Sequence, residues 1–171
     1  MHAFADKLEW EFILDAARWT YDEARHTRMG YERLRKWGYE PHELPLGSYI
    51  YDSAKGQPPI YRLGMLHHFE SKNIGKKNER AEAFAALEDA LSQHDMEFDW
   101  ADETIHAHYG SKWLVALAEQ YPGEYPDRKT IHAHCEAFVQ AVIASATDEE
   151  RQAITAITEA MIAKAEANLI S

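Results

Sequence analysis

The segment D-E-A-R-H-T-R-M-G at residues 22–30 returns as D-E-T-I-H-A-H-Y-G at residues 102–110. Asp, Glu, His and Gly keep one spacing, D-E-x-x-H-x-x-x-G, while the residues between them change. Both copies lie in stretches whose apolar residues recur in steps of three and four, the helical period. Leu8, Phe12, Trp19 and Leu34 continue the line of Glu23, His26 and Gly30; Gly110, Trp113 and Leu117 continue that of Glu103 and His106. Residues three apart share a helix face. Each Glu-His pair is therefore expected to point inward, and each Gly to let a neighbouring helix approach one turn beyond the His.

Burying an unpaired carboxylate costs several kcal/mol, about 2 or more, and two facing carboxylates repel. A single E-x-x-H reads as an inward salt bridge. Two matched copies on inward stripes read as metal ligands, because a pair of divalent ions neutralises the carboxylates and fills their lone pairs. Glu oxygen with His nitrogen suits iron or manganese, and zinc less well. Dinuclear carboxylate bundles combine E-x-x-H from two helices with one Glu from each of two others. Glu70 supplies one lone Glu, on a stripe with Leu63, Leu66 and Ile74. The expected ligands are Glu23, His26, Glu70, Glu103 and His106. Asp22 and Asp102, one residue before each Glu, are candidate acceptors that orient the His on the opposite helix.

The rest of the chain reads as helix in nearly every segment. The first helix is expected over residues 3–37, with Gly38 just past its end. Residues 38–57, with Pro41, Pro45, Gly47 and Gly56, form a long connection with a short helical turn near Ser48 to Ala54. Pro58 and Pro59 suit the first turn of a second helix, about 59–92. Asp95 is expected to cap a third, 96–120; Asp127 a fourth, 128–145. Thr147 to Glu150 reads as a capping box opening a fifth, 148–168. These make one all-α domain over 1–171, a bundle core of about 3–120 with an appended helix pair over about 127–168.

The formal net charge is −11, so nucleic acid is a poor default partner. No apolar run approaches the roughly 20 residues that span a bilayer. The single cysteine, Cys135, excludes an internal disulfide and, with no signal peptide, favours the cytoplasm. Cys135 itself reads as a small core residue. His67 reads as a partly buried, hydrogen-bonded His, His108 as a surface residue and Tyr109 as a packed one. The lysine-rich N-I-G-K-K-N-E-R at residues 73–80 reads as a solvated helix face.

These features resemble the ferritin-like superfamily of dinuclear iron or manganese carboxylate proteins, and more narrowly one of its families of unknown function. The likeness runs through D-E-A-R-H-T-R-M-G, the loop G-Y-E-P-H-E-L-P, Y-R-L-G-M-L-H-H-F-E, and D-W-A-D-E-T-I-H-A-H-Y-G-S-K-W-L, about residues 12–117. It implies a ferritin-like helical bundle and the five ligands named above, holding two iron ions, with manganese as the alternative. It implies an oxidoreductase that activates oxygen or peroxide, acting on a small-molecule substrate. The alternatives are a metal-handling or storage protein and a non-catalytic interaction module with a relic site. The pattern also requires a second lone Glu on a helix ahead of Glu23. Carrying the interval between Glu70 and Glu103 upstream from Glu23 passes Met1. The first bundle helix is therefore expected from an upstream segment of a longer protein or from a partner such as a second copy. Glu136 or Glu159, folding back from the last two helices, is the remaining source.

Overall fold

The protein is described by a computed structural model covering residues 2–44, 51 and 54–169. Among these residues there are five α-helices and no strand: α1 (Trp10–Lys36), α2 (Pro59–Ala86), α3 (Ala90–Gln120), α4 (Arg128–Ser145) and α5 (Asp148–Leu169). Among the described residues no helix is long and apolar enough to cross a membrane. The helical turn expected near Ser48 to Ala54 lies outside the described residues, Tyr51 and Ala54 excepted.

The helix ends follow local chemistry. Past α1, Gly38 adopts φ +80°, Tyr39 N–H donates to Leu34 O (2.8 Å) and Gly38 N–H donates to Arg35 O (2.9 Å). A left-handed glycine closing the last free carbonyls in this way is a common helix stop. Thr147 and Glu150 cap α5 reciprocally: Glu150 N–H donates to Thr147 Oγ1 (3.2 Å) and Thr147 N–H to Glu150 Oε2 (2.7 Å).

The boundary between α2 and α3 corrects the sequence expectation. The chain turns at Leu87–Asp89, not in the low nineties, and Asp89 rather than Asp95 caps α3. Asp89 is fully buried. It accepts from Ser92 N–H, Ser92 Oγ, Lys36 Nζ and Trp37 Nε1. Those four donors hold its carboxyl far below the ordinary value against the upward push of burial. Asp95 lies inside α3 and pairs with Arg33 of α1 at 3.3 Å.

The long α2–α3 hairpin is the spine of the bundle, and α1 and α4 pack on it. The apolar core gathers at one end: Phe4, Leu8 and Phe12 meet Ile60, Met65, Trp113, Leu114 and Leu117. From α4, Ile131, Cys135 and Val139 close the same core, with Ile131 and Cys135 fully buried. The C-terminal pair is thus divided. α4 is sealed into the core, whereas α5 touches the end of α1, through Asn168 to Trp37 O and Tyr39 to Ala160 O. Its Ile154 and Ile162 remain exposed.

α1 and α2 each pack mainly on α3, and the Trp19 indole of α1, donating to Glu70 of α2, links the two. Between them, beside the apolar core, lies a cavity of about 530 Å³ lined by Phe12, Leu63, Leu66 and Phe69 among others.

Candidate metal centre

Three helices bring the two matched motifs and Glu70 to one place. Glu23, Glu70, Glu103 and His106 each offer a ligand atom, and these atoms lie within 4.8 Å of one another. A second group, His26, Asp99 and Glu103, meets the same limit. Glu103 belongs to both, so the two groups are adjoining positions of one cluster.

The two histidines are held in mirror fashion. Asp22 of α1 lies 3.3 Å from Nε2 of His106 on α3, and Asp102 of α3 lies 3.0 Å from Nε2 of His26 on α1. A carboxylate on one ring nitrogen fixes the tautomer and frees the other nitrogen as a ligand. In both rings that other nitrogen is Nδ1, and both face the Glu residues. His106 Nδ1 is 3.4 Å from Glu23 Oε1 and 4.0 Å from Glu70 Oε1. His26 Nδ1 is 3.7 Å from Glu23 Oε2 and 3.4 Å from Asp99 Oδ1. Trp19 covers His106, with stacked rings at 5.2 Å, and donates its Nε1–H to Glu70 Oε1 at 3.3 Å.

Charge is not balanced evenly. Arg18 and Arg25 both pair with Asp22 and Asp102. Those two aspartates are neutralised. Glu23, Glu70, Asp99 and Glu103 remain, and among the described residues Lys77 of α2 is the Lys or Arg that pairs with this group, bonding Asp99 and lying 3.6 Å from Glu103 Oε1. The titration of the cluster reflects this shortage. Burial and the nearby charge of Glu23 push Glu103 above its ordinary value. Burial also works to raise Glu23, but the approach of His106 and His26 reverses it and holds that carboxyl at about 2. For His26, burial is outweighed by Glu23, Asp102 and Asp99, and the ring keeps its proton to about 9.

His106 has no exposed surface, and its Nδ1 has no hydrogen-bond partner of acceptable geometry. An orphaned ring nitrogen in a fully buried site has lost its water without replacement, at a cost of about 1–3 kcal/mol. This atom, facing Glu23 and Glu70 with Glu103 in the same group, fits a hard divalent cation: three oxygens and one imidazole nitrogen are a donor set for iron or manganese.

Three expectations need correction here. Glu23 is not enclosed: its side chain is 47% exposed. Lys77 is not on a solvated face. It is buried, unlike the rest of its lysine-rich stretch except the half-buried Asn73 and Ile74. Gly110 fulfils its expected role, since a Cβ there would meet His67 Cβ at 2.6 Å. Gly30 does not: a Cβ there would meet nothing within 4 Å beyond its own stretch of helix.

Asp99 and Lys77 escaped the sequence reading. The available signal was spacing: Asp99 is one turn before Glu103 and Lys77 two turns after Glu70, so each shares its neighbour's face. His67 sits against Gly110 and within 3.2 Å of Ser71 Oγ, outside the cluster. Burial, with Arg128 and His132 nearby, pushes it below its ordinary value. His108 is exposed, Tyr109 packs on the core, and burial pushes the Cys135 thiol up to about 11. Glu136 pairs with Lys72 and His68, and Glu159 is exposed. Neither enters the cluster.

The fold and this arrangement define an all-α bundle with an interior carboxylate–imidazole cluster. The chain belongs to the family described as protein of unknown function (DUF455), whose pattern matches residues 1–163. No curated protein and no solved structure matches it.

Proposed function

We propose that the protein is a ferritin-like metal–carboxylate oxidoreductase, with Glu23, Glu70, Glu103, His106 and His26 as ligands to iron or manganese. The observation that carries this reading is His106 Nδ1, fully buried and without a hydrogen bond, 3.4 Å from Glu23 Oε1 and 4.0 Å from Glu70 Oε1, with Glu103 in the same group. Redox-active ions bound by these residues would supply electrons to dioxygen or peroxide.

The chain's own part is geometric and electrostatic. Asp22 and Asp102 set the tautomers of the two histidines, and Arg18 and Arg25 pair with those aspartates and not with the glutamates. Trp19 and the α2–α3 packing exclude water from the His106 side. The α1–α2 side, where Glu23 meets solvent, admits a small substrate. A low-dielectric wall facing an open rim lets buried charges act strongly on whatever enters.

The test compares two histidines two residues apart. His106→Ala is expected to lose nearly all iron and manganese found in protein purified without added metal, whereas His108→Ala, altering an exposed side chain, keeps the wild-type content. Equal content in the two variants removes the assignment.

A further inference from the structure

The two positions of the cluster are built unequally, and the inequality comes from a lysine. The first has three carboxylates and His106, and no Lys or Arg pairs with Glu23 or Glu70 among the described ion pairs. The second has His26, Asp99 and the shared Glu103, and there the ammonium of Lys77 bonds Asp99 and approaches Glu103. The Lys77 side chain is 10% exposed and its partner Asp99 11%. Their attraction is thus little screened by water.

A buried lysine is a rare choice beside a cation site. Burial strips the ammonium of its water, which costs several kcal/mol, about 2 or more, unless carboxylates replace it. Asp99 and Glu103 do so. The same two carboxylates belong to the second ligand group, so Lys77 and an incoming ion compete for the same negative charge, and they repel each other.

We infer that the centre loads in order: one ion takes the Glu23–Glu70–Glu103–His106 position, and the His26–Asp99–Glu103 position, already served by the Lys77 ammonium, accepts a second ion at least tenfold more weakly. This rests on the reading of the cluster as a metal centre. It makes Lys77 a built-in stand-in for the second cation, and it makes Asp99 a ligand that acts only at the second step.

The experiment is a titration of metal-stripped protein with manganese(II) alone, followed by calorimetry and by the electron spin resonance of manganese pairs. Wild type is expected to bind one ion, then a second at least tenfold more weakly or not at all. Lys77→Met keeps the apolar stem and removes the charge. It is expected to tighten the second step and to bring the coupled-pair signal in at lower metal concentration. Lys77→Gln serves if the Met variant does not fold. Lys77→Arg keeps the charge and should keep the wild-type gap, while Asp99→Asn should weaken the second step and leave the first unchanged. Two equal steps in wild type overturn the inference and leave the metal centre standing, as does a gap that survives loss of the Lys77 charge. Absence of any bound manganese in wild type instead overturns the proposed function itself.

Discussion

The two copies of D-E-x-x-H-x-x-x-G hold the same residues at the same spacing and live in different surroundings. In the α3 copy, His106 is fully buried, Glu103 is 12% exposed and Gly110 is pressed by His67. In the α1 copy, His26 is 13% exposed, Glu23 is 47% exposed and Gly30 faces open space. The spacing fixes only the direction in which side chains leave the helix. Enclosure is decided by what packs on that face. α3 has neighbours on three sides, and α1 has its main one in α3.

The largest effect expected from this contrast is at the histidines. His106→Ala removes a fully buried ring and leaves a cavity against Trp19, and a large-to-small change of this kind typically costs about 2–5 kcal/mol. His26→Ala, at a site that water can reach, is expected to cost about 1.5–3 kcal/mol at most, the scale of a lost hydrogen bond to a charged group. Urea unfolding of the metal-stripped variants measures both. Equal losses would mean that the copies are equally enclosed, contrary to the geometry.

The glycines sharpen the contrast with opposite signs. Gly110→Ala forces a methyl onto His67 in a close-packed seam and is expected to destabilise by about 1–3 kcal/mol. Gly30→Ala meets nothing, and replacing a mid-helix glycine by alanine stabilises by about 0.5–1 kcal/mol. Thermal midpoints of the two variants should move in opposite directions from wild type. A shared direction would show that Gly30 is covered in the folded protein.

Much of this was legible in the sequence, for identifiable reasons. Helical period and repeated spacing are local properties, so the face shared by Glu23 and His26, and that shared by Glu103 and His106, could be read from the chain alone. The approach of Asp22 to His106 and of Asp102 to His26 follows from the same periodicity once the two helices face each other. The cap of α3 was misread because Asp89 and Asp95 both suit an N-cap; only the ring of donors around Asp89 decides, and Lys36 and Trp37 come from another helix. Lys77 was missed because composition speaks for a stretch and not for one side chain: Lys76 and Glu79 beside it are exposed. The exposure of Glu23 was missed because a stripe of apolar spacing carries no record of whether a neighbour is present to cover it.

The smallest expected effect is in acid–base behaviour, and it separates the copies once more. In the metal-stripped protein Glu23 titrates at about 2, below its ordinary 4.5. Its charged form is favoured by folding, so its contribution is present above pH 4.5 and is lost as pH falls toward 2. Glu103 is raised. Folding favours its protonated form, so that contribution is complete below pH 4.5 and is lost as pH rises through the folded value. Glu103→Gln, which imitates the protonated state, is therefore expected to raise the thermal midpoint of the stripped protein at neutral pH. A gain of about 1 kcal/mol corresponds to about 2–4 °C. Glu23→Gln is expected to lower the midpoint slightly at neutral pH and to flatten the acid limb between pH 4.5 and 2, with a small amplitude because half of that side chain meets water. Adding manganese(II) should reverse the sign at Glu103 alone, since the charge that costs stability in the empty fold is the charge that a bound cation uses.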